Sequence, residues 1–148
     1  MTAIAIGAVG VALSLILSGI GSAFGLYKTG SAAAGVLAED GKKFSKIIVL
    51  ALLPATQGIY GFVLSVMQYS KLNADLTTMG GWILFGATVA MGISGMASGM
   101  LQGKAAASCI CAVGKNSAGS GKYVLFPAMI EFYAILALVL GIMMSAAI

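Results

Sequence analysis

Apolar residues run almost unbroken through four stretches, 3–27, 47–70, 80–103 and 124–147, and polar residues collect between them. Each stretch is at least as long as the roughly 20 residues that let an α-helix cross a bilayer. The pattern predicts an all-α membrane protein of four transmembrane helices. Ala-rich sequence without breakers carries the first and third helices beyond the bilayer, to about Leu37 and Val113, so the connections that follow them shrink to short polar turns. The first stretch has no basic residue ahead of its apolar core and is longer than a signal-peptide core, so it is expected to stay in the mature chain.

Charge then orients the helices. Lys28, Lys42, Lys43 and Lys46 belong to the first connection, Lys71 to the second, and Lys104, Lys115 and Lys122 to the third. The positive-inside rule places loops 28–46 and 104–122 in the cytoplasm, with both termini and the short connection around Asn73 and Asp75 outside. A multi-pass protein of the cell membrane is expected. Composition agrees: 60% of residues are hydrophobic, 8% are charged and the mean hydropathy is +1.06, too few charges to clothe a water-soluble surface. The net charge of +4 does not point to nucleic acid, because the lysines are scattered and lack interleaved aromatics. Cys109 and Cys111 lie two apart, on different faces of a helix, and no histidine completes a metal set. Both are expected to be small buried hydrophobes.

The two halves of the chain repeat. Gly-Ser-Ala-Phe-Gly-Leu-Tyr-Lys at 21–28 aligns with Ala-Ser-Gly-Met-Leu-Gln-Gly-Lys at 97–104, and Pro54-Ala55 aligns with Pro127-Ala128. Tyr60 and Tyr133 follow these prolines by six residues. The offsets are 76 before the turn and 73 after it, so the second hairpin has a connection shorter by three. Residues 1–72 form one predicted hairpin and 73–148 the other, two duplicated hairpins of a single domain. A hairpin repeated in one orientation suits assembly into a ring. Gly19, Gly21, Ala23 and Gly25 in the first helix, and Gly92, Gly95, Gly99 and Gly103 in the third, are spaced to let helices approach closely, although membrane helices tolerate glycine in any case.

Glu131 is the one carboxylate inside an apolar stretch. Holding it in the membrane costs roughly 2.5–3.5 kcal/mol even on lenient scales, so it needs partners, and a bound ion or proton is the obvious one. Its counterpart four residues after Pro54 is Gly58, which implies one ion per chain. If the hairpins turn near residues 41 and 117, Gln57, Gln102 and Glu131 lie 16, 15 and 14 residues from their turns, at nearly one depth. Leu53, Thr56, Gln57 and Tyr60 share one helical face through i, i+3, i+4 and i+7 spacing. The competing readings are a polar network that only glues helices, a small four-helix secondary transporter and a purely structural membrane protein.

The segments Leu52-Leu53-Pro54-Ala55-Thr56-Gln57-Gly58-Ile59-Tyr60-Gly61-Phe62, Leu101-Gln102-Gly103-Lys104-Ala105-Ala106-Ala107 and Met129-Ile130-Glu131-Phe132-Tyr133-Ala134-Ile135-Leu136 resemble the V-type ATPase proteolipids, in particular the four-helix K (or c) subunits of bacteria. The resemblance covers essentially the whole chain. It implies a homo-oligomeric rotor ring that hydrolyses nothing itself, turns against a stator membrane subunit with an arginine, and meets central-stalk subunits at its cytoplasmic loops. No phosphate-binding glycine loop contradicts this. The resemblance further implies a Na+ site made of the Glu131 carboxylate, the Gln57 and Gln102 amide oxygens, the Thr56 hydroxyl and the Leu53 carbonyl, with Tyr60 holding the carboxylate. H+ is the alternative cargo. The Leu53 ligand rests on the resemblance alone, because Pro54 lacks an N–H and frees the carbonyl of Leu50 instead.

Overall fold

The computed structural model describes residues 2–148 and is all-helical. Helix α1 (Ala3–Glu39) leads through a 3-10 turn (Gly41–Lys43) to α2 (Phe44–Leu52), a second 3-10 turn (Leu53–Ala55) and α3 (Thr56–Tyr69). Helix α4 (Thr78–Lys115) leads through a 3-10 turn (Ser120–Val124) to α5 (Leu125–Ser145). Four spans are long and apolar enough to cross a membrane, with α2 and α3 forming one of them, and the chain is a multi-pass membrane protein.

Local sequence explains where these helices begin and end. Thr2 and Thr77 cap α1 and α4, their hydroxyls accepting from the N–H groups of Ala5 and Gly80. The long helices stop at Asp40 and Asn116, 76 positions apart, whose N–H groups donate to Val36 and Ala112. Their side chains then accept from the N–H groups of Lys42 and Ala118, the Asx geometry that starts a turn. The expected ends near Leu37 and Val113 are each two residues early. In the second span Pro54 has no N–H to donate, and the backbone tightens into 3-10 form between α2 and α3. Pro127 falls in the first turn of α5, where a missing N–H costs nothing, so α5 runs unbroken.

Between helices surrounded by lipid, close packing replaces the hydrophobic drive. Helices α1 and α4 make the most intimate contact. A Cβ added at Gly99 would lie 2.8 Å from the Gly21 carbonyl carbon, and one at Gly21 would lie 2.9 Å from the Gly95 oxygen. Gly103 meets Gly25, and Gly92 meets Leu13. Two members of the expected stripe depart from it: Ala23 is exposed, and an added Cβ at Gly19 would meet nothing within 4 Å. They lie on the side of α1 turned away from α4. The expectation for Cys111 also needs correction. Two residues turn a helix by roughly 200°, so Cys109 faces inward and is buried while Cys111 is exposed.

Two apolar clusters bracket the middle of the bundle. Near the lysine-rich turns, Val36, Ile47, Leu50, Ile110 and Val113 pack together, and toward the other end Leu64, Met91 and Ala134 do so. The ends of the hairpins are tied by polar contacts. Lys43 donates to the Gly114 carbonyl (2.7 Å) and Lys46 to the Ser117 hydroxyl (2.9 Å). At the opposite end Gln68 donates to the Ser145 hydroxyl (2.8 Å), and Lys71 donates to the Ser145 carbonyl at the C-terminus of α5.

Candidate ion-binding site

Polar side chains from α3, α4 and α5 converge between those clusters. Glu131 projects from α5 one turn after Pro127 and is half-buried. Its Oε1 accepts from the Tyr60 hydroxyl at 2.5 Å, and its Oε2 accepts from Gln102 Nε2 at 3.3 Å. The same Nε2 also reaches the Pro127 carbonyl (3.1 Å). Gln57 Nε2 donates to Gln102 Oε1 (2.7 Å) and to the Ser98 hydroxyl (3.3 Å). Both glutamines are 0% exposed. Tyr60, Glu131, Gln102 and Gln57 thus form one continuous chain of hydrogen bonds, which joins the three residues whose distances from the turns put them at one depth.

Thr56 and Leu53 flank this chain on the 3-10 turn. The Thr56 hydroxyl donates to the Leu53 carbonyl (2.9 Å), which also accepts the Thr56 N–H. Neither residue hydrogen-bonds Glu131, Gln57 or Gln102 among the described residues. With its proton turned to Leu53, the Thr56 oxygen keeps its lone pairs available. The Leu53 carbonyl, with two donors already on it, is the least available oxygen of the five.

Gln57 Oε1 has no hydrogen-bond partner among the described residues, although it is fully buried. A buried amide oxygen without a donor is costly, on the order of 1–3 kcal/mol. No lysine forms an ion pair with Glu131 among the described residues. One carboxylate, an orphaned amide oxygen and further uncharged oxygens make up a donor set suited to a hard cation.

Sequence reasoning missed several polar residues that hold this arrangement. Ser98, one turn before Gln102, donates to the Ile130 carbonyl (3.1 Å) and so fixes α4 against α5 beside the carboxylate. Ser22 accepts the Gly58 N–H (2.7 Å), and Thr29 donates to the Ala51 carbonyl (2.7 Å), on either side of the Pro54 break. For Ser22 the signal was available: Ser14, Ser18 and Ser22 recur every four residues along α1, and all are buried.

Four membrane helices, a small-residue seam and one internal carboxylate held by a tyrosine hydroxyl and a buried amide define an ion-carrying membrane proteolipid. The chain belongs to the ATP synthase C subunit family, whose profile matches residues 2–68 and again residues 85–144. It is 39% identical to the V-type sodium ATPase subunit K of Enterococcus hirae over 134 residues, covering 90% of this chain and 86% of that one. It is 37% identical to the A-type ATP synthase subunit K of Methanocaldococcus jannaschii over 94% of this chain and 61% of that one. It is 28% identical to the 16 kDa proteolipid of the human V-type proton ATPase over 64% of this chain and 61% of that one. The protein is therefore a ring-forming, non-catalytic rotor proteolipid of the V-type kind, which translocates ions and hydrolyses nothing.

Proposed function

We propose that this rotor ring carries Na+, one ion per chain, at Glu131. The observation that carries the reading is the orphaned, fully buried Gln57 Oε1, within one amide of the Glu131 carboxylate. A proton on Glu131 would leave that oxygen unsatisfied, whereas a cation among Glu131, Gln57, Gln102, Thr56 and Leu53 satisfies it. The relative from Enterococcus hirae, a sodium ATPase subunit by name, supports the same choice.

The residues act in sequence as follows. With the site charged, Glu131 is held by Tyr60 and Gln102 and is drawn to a cation on a stator subunit, an arginine by resemblance. A Na+ entering from the stator side neutralises the carboxylate, and the protomer can then face hydrocarbon, which an uncompensated charge cannot. Release on the far side restores the charge. The lysine-rich hairpin ends, residues 28–46 and 104–122, face the cytoplasm and the central stalk, and both termini face outward. The matched turns at Asp40 and Asn116, 76 residues apart, support descent of residues 1–72 and 73–148 from one duplicated hairpin.

The test is labelling with a carbodiimide, which attacks protonated carboxyls. Glu131 should be the residue modified, and Na+ should slow its modification at fixed pH. Modification that depends on pH but is indifferent to Na+ at every concentration would assign the ring to H+.

A further inference from the structure

The hydrogen bonds of the site run in a fixed direction, and α5 sets it. The Pro127 carbonyl can only accept, so the Gln102 side chain presents its amide nitrogen there (3.1 Å), and the same nitrogen reaches the Glu131 carboxylate (3.3 Å). The Gln102 oxygen is thereby turned to Gln57, which meets it with its own amide nitrogen (2.7 Å).

A second carbonyl of α5 imposes the same direction by another route. The Ile130 carbonyl also only accepts, and the Ser98 hydroxyl donates its one proton to it (3.1 Å). That leaves the Ser98 oxygen as an acceptor, and Gln57 Nε2 donates to it (3.3 Å). Both hydrogens of the Gln57 amide are then committed, one to Gln102 and one to Ser98, and Oε1 is the atom left over. Turning this amide over would set its oxygen against two oxygens that have no proton to offer it. Ser98 is 4% exposed, so bulk water does not compete for these bonds.

We propose that Ser98 is a positioning residue for the ion site, which holds the Gln57 amide so that Oε1 stays free for the cation and thereby favours Na+ over H+. Ser98 has no hydrogen bond to Glu131 among the described residues and acts through Gln57. A proton on Glu131 needs no oxygen from Gln57, so Ser98 matters to Na+ binding and not to protonation. The inference rests on the Na+ reading of the site and adds to it the residue that orients a ligand.

Helix α4 carries its own control. Ser94, one turn before Ser98, makes the same kind of bond to α5, donating to the Tyr133 carbonyl (3.0 Å), but no amide of the site donates to it among the described residues. If Ser98 merely glues α4 to α5, the two serines are equivalent.

The test is a Na+ titration of carbodiimide labelling of Glu131 in the intact complex, with parent, Ser98→Ala, Ser98→Thr and Ser94→Ala rings. Ser98→Ala should raise the Na+ concentration that gives half-protection about three- to tenfold, the range that one neutral hydrogen bond contributes. Its labelling without Na+ should follow pH as in the parent. Ser98→Thr keeps the hydroxyl and adds a methyl beside a surface cavity of about 270 Å³ that Ser98 lines, and it should restore protection. Ser94→Ala should be protected like the parent, and native gels should show every ring assembled. A parent ring that Na+ does not protect sinks the Na+ reading and the proposal with it. With the parent protected, the proposal alone is overturned by a Ser98→Ala ring that is protected equally or fails to assemble. A loss shared by Ser94→Ala, matched by a shift in the pH dependence, or not recovered by Ser98→Thr overturns it as well.

Discussion

The Tyr60 hydroxyl and the Glu131 carboxylate, 71 residues apart in the chain, meet at 2.5 Å. This contact joins the second helix of one hairpin to the second helix of the other. A hydrogen bond to a charged group contributes about 1.5–3 kcal/mol, so Tyr60→Phe should weaken Na+ protection of Glu131 at least tenfold. Tyr133, its counterpart 73 residues on, is 69% exposed and its hydroxyl meets no acid among the described residues. Tyr133→Phe should leave protection within about twofold. Equal effects from the two tyrosines would remove Tyr60 from the site.

Glu131→Gln keeps the shape of the side chain but cannot alternate between charged and neutral forms. The ring should assemble with normal yield, ion transport by the complex should fall to background, and carbodiimide labelling of the ring should vanish. Failure to assemble would instead make Glu131 a packing residue, since its two partners reach it from different helices.

Much of this architecture is legible in the sequence. Four apolar runs, two polar hairpin ends that gather most of the lysines and a 76-residue offset set the number of helices and where they reverse. Equal distance from the turns brings Gln57, Gln102 and Glu131 to one depth, because a rise of about 1.5 Å per residue makes depth countable. The direction of each hydrogen bond is not countable. Nothing in the spacing says that Gln102 turns its amide nitrogen to Glu131 and its oxygen to Gln57, or that Thr56 is engaged with Leu53. Periodicity also leaves open which small residues are used inside the chain. Gly21 and Ala23 look alike in a stripe, yet they lie on opposite sides of α1, one on α4 and one exposed.

The glycine seam permits a clean contrast. Gly99→Ala places a methyl group 2.8 Å from the backbone of Gly21, and backbone cannot rotate aside, so α1 and α4 must separate. Overpacking of this kind costs about 1–3 kcal/mol, which should appear as a lower dissociation temperature of the purified ring. Gly35→Ala meets nothing within 4 Å and should be neutral or slightly stabilising. A neutral Gly99→Ala would show that the two long helices do not need their close approach.

Gln102 separates an ion site from ordinary helix glue, because it touches Gln57 through its oxygen, and Glu131 and the Pro127 carbonyl through its nitrogen. Gln102→Met keeps the volume nearly unchanged and removes the amide. If the amide oxygen coordinates Na+, its loss should weaken Na+ protection of Glu131 at least tenfold, about 1.4 kcal/mol. Ring stability should fall by less, since hydrogen bonds between membrane helices average only about 0.6 kcal/mol. The measurement is a Na+ titration of carbodiimide protection on mutant and parent rings, with survival of the oligomer on heating as the companion reading. Tighter dependence of heat survival than of Na+ protection on residue 102 would assign Gln102 to packing. Glu131 would then be left with Tyr60 and a simpler site of the proton type.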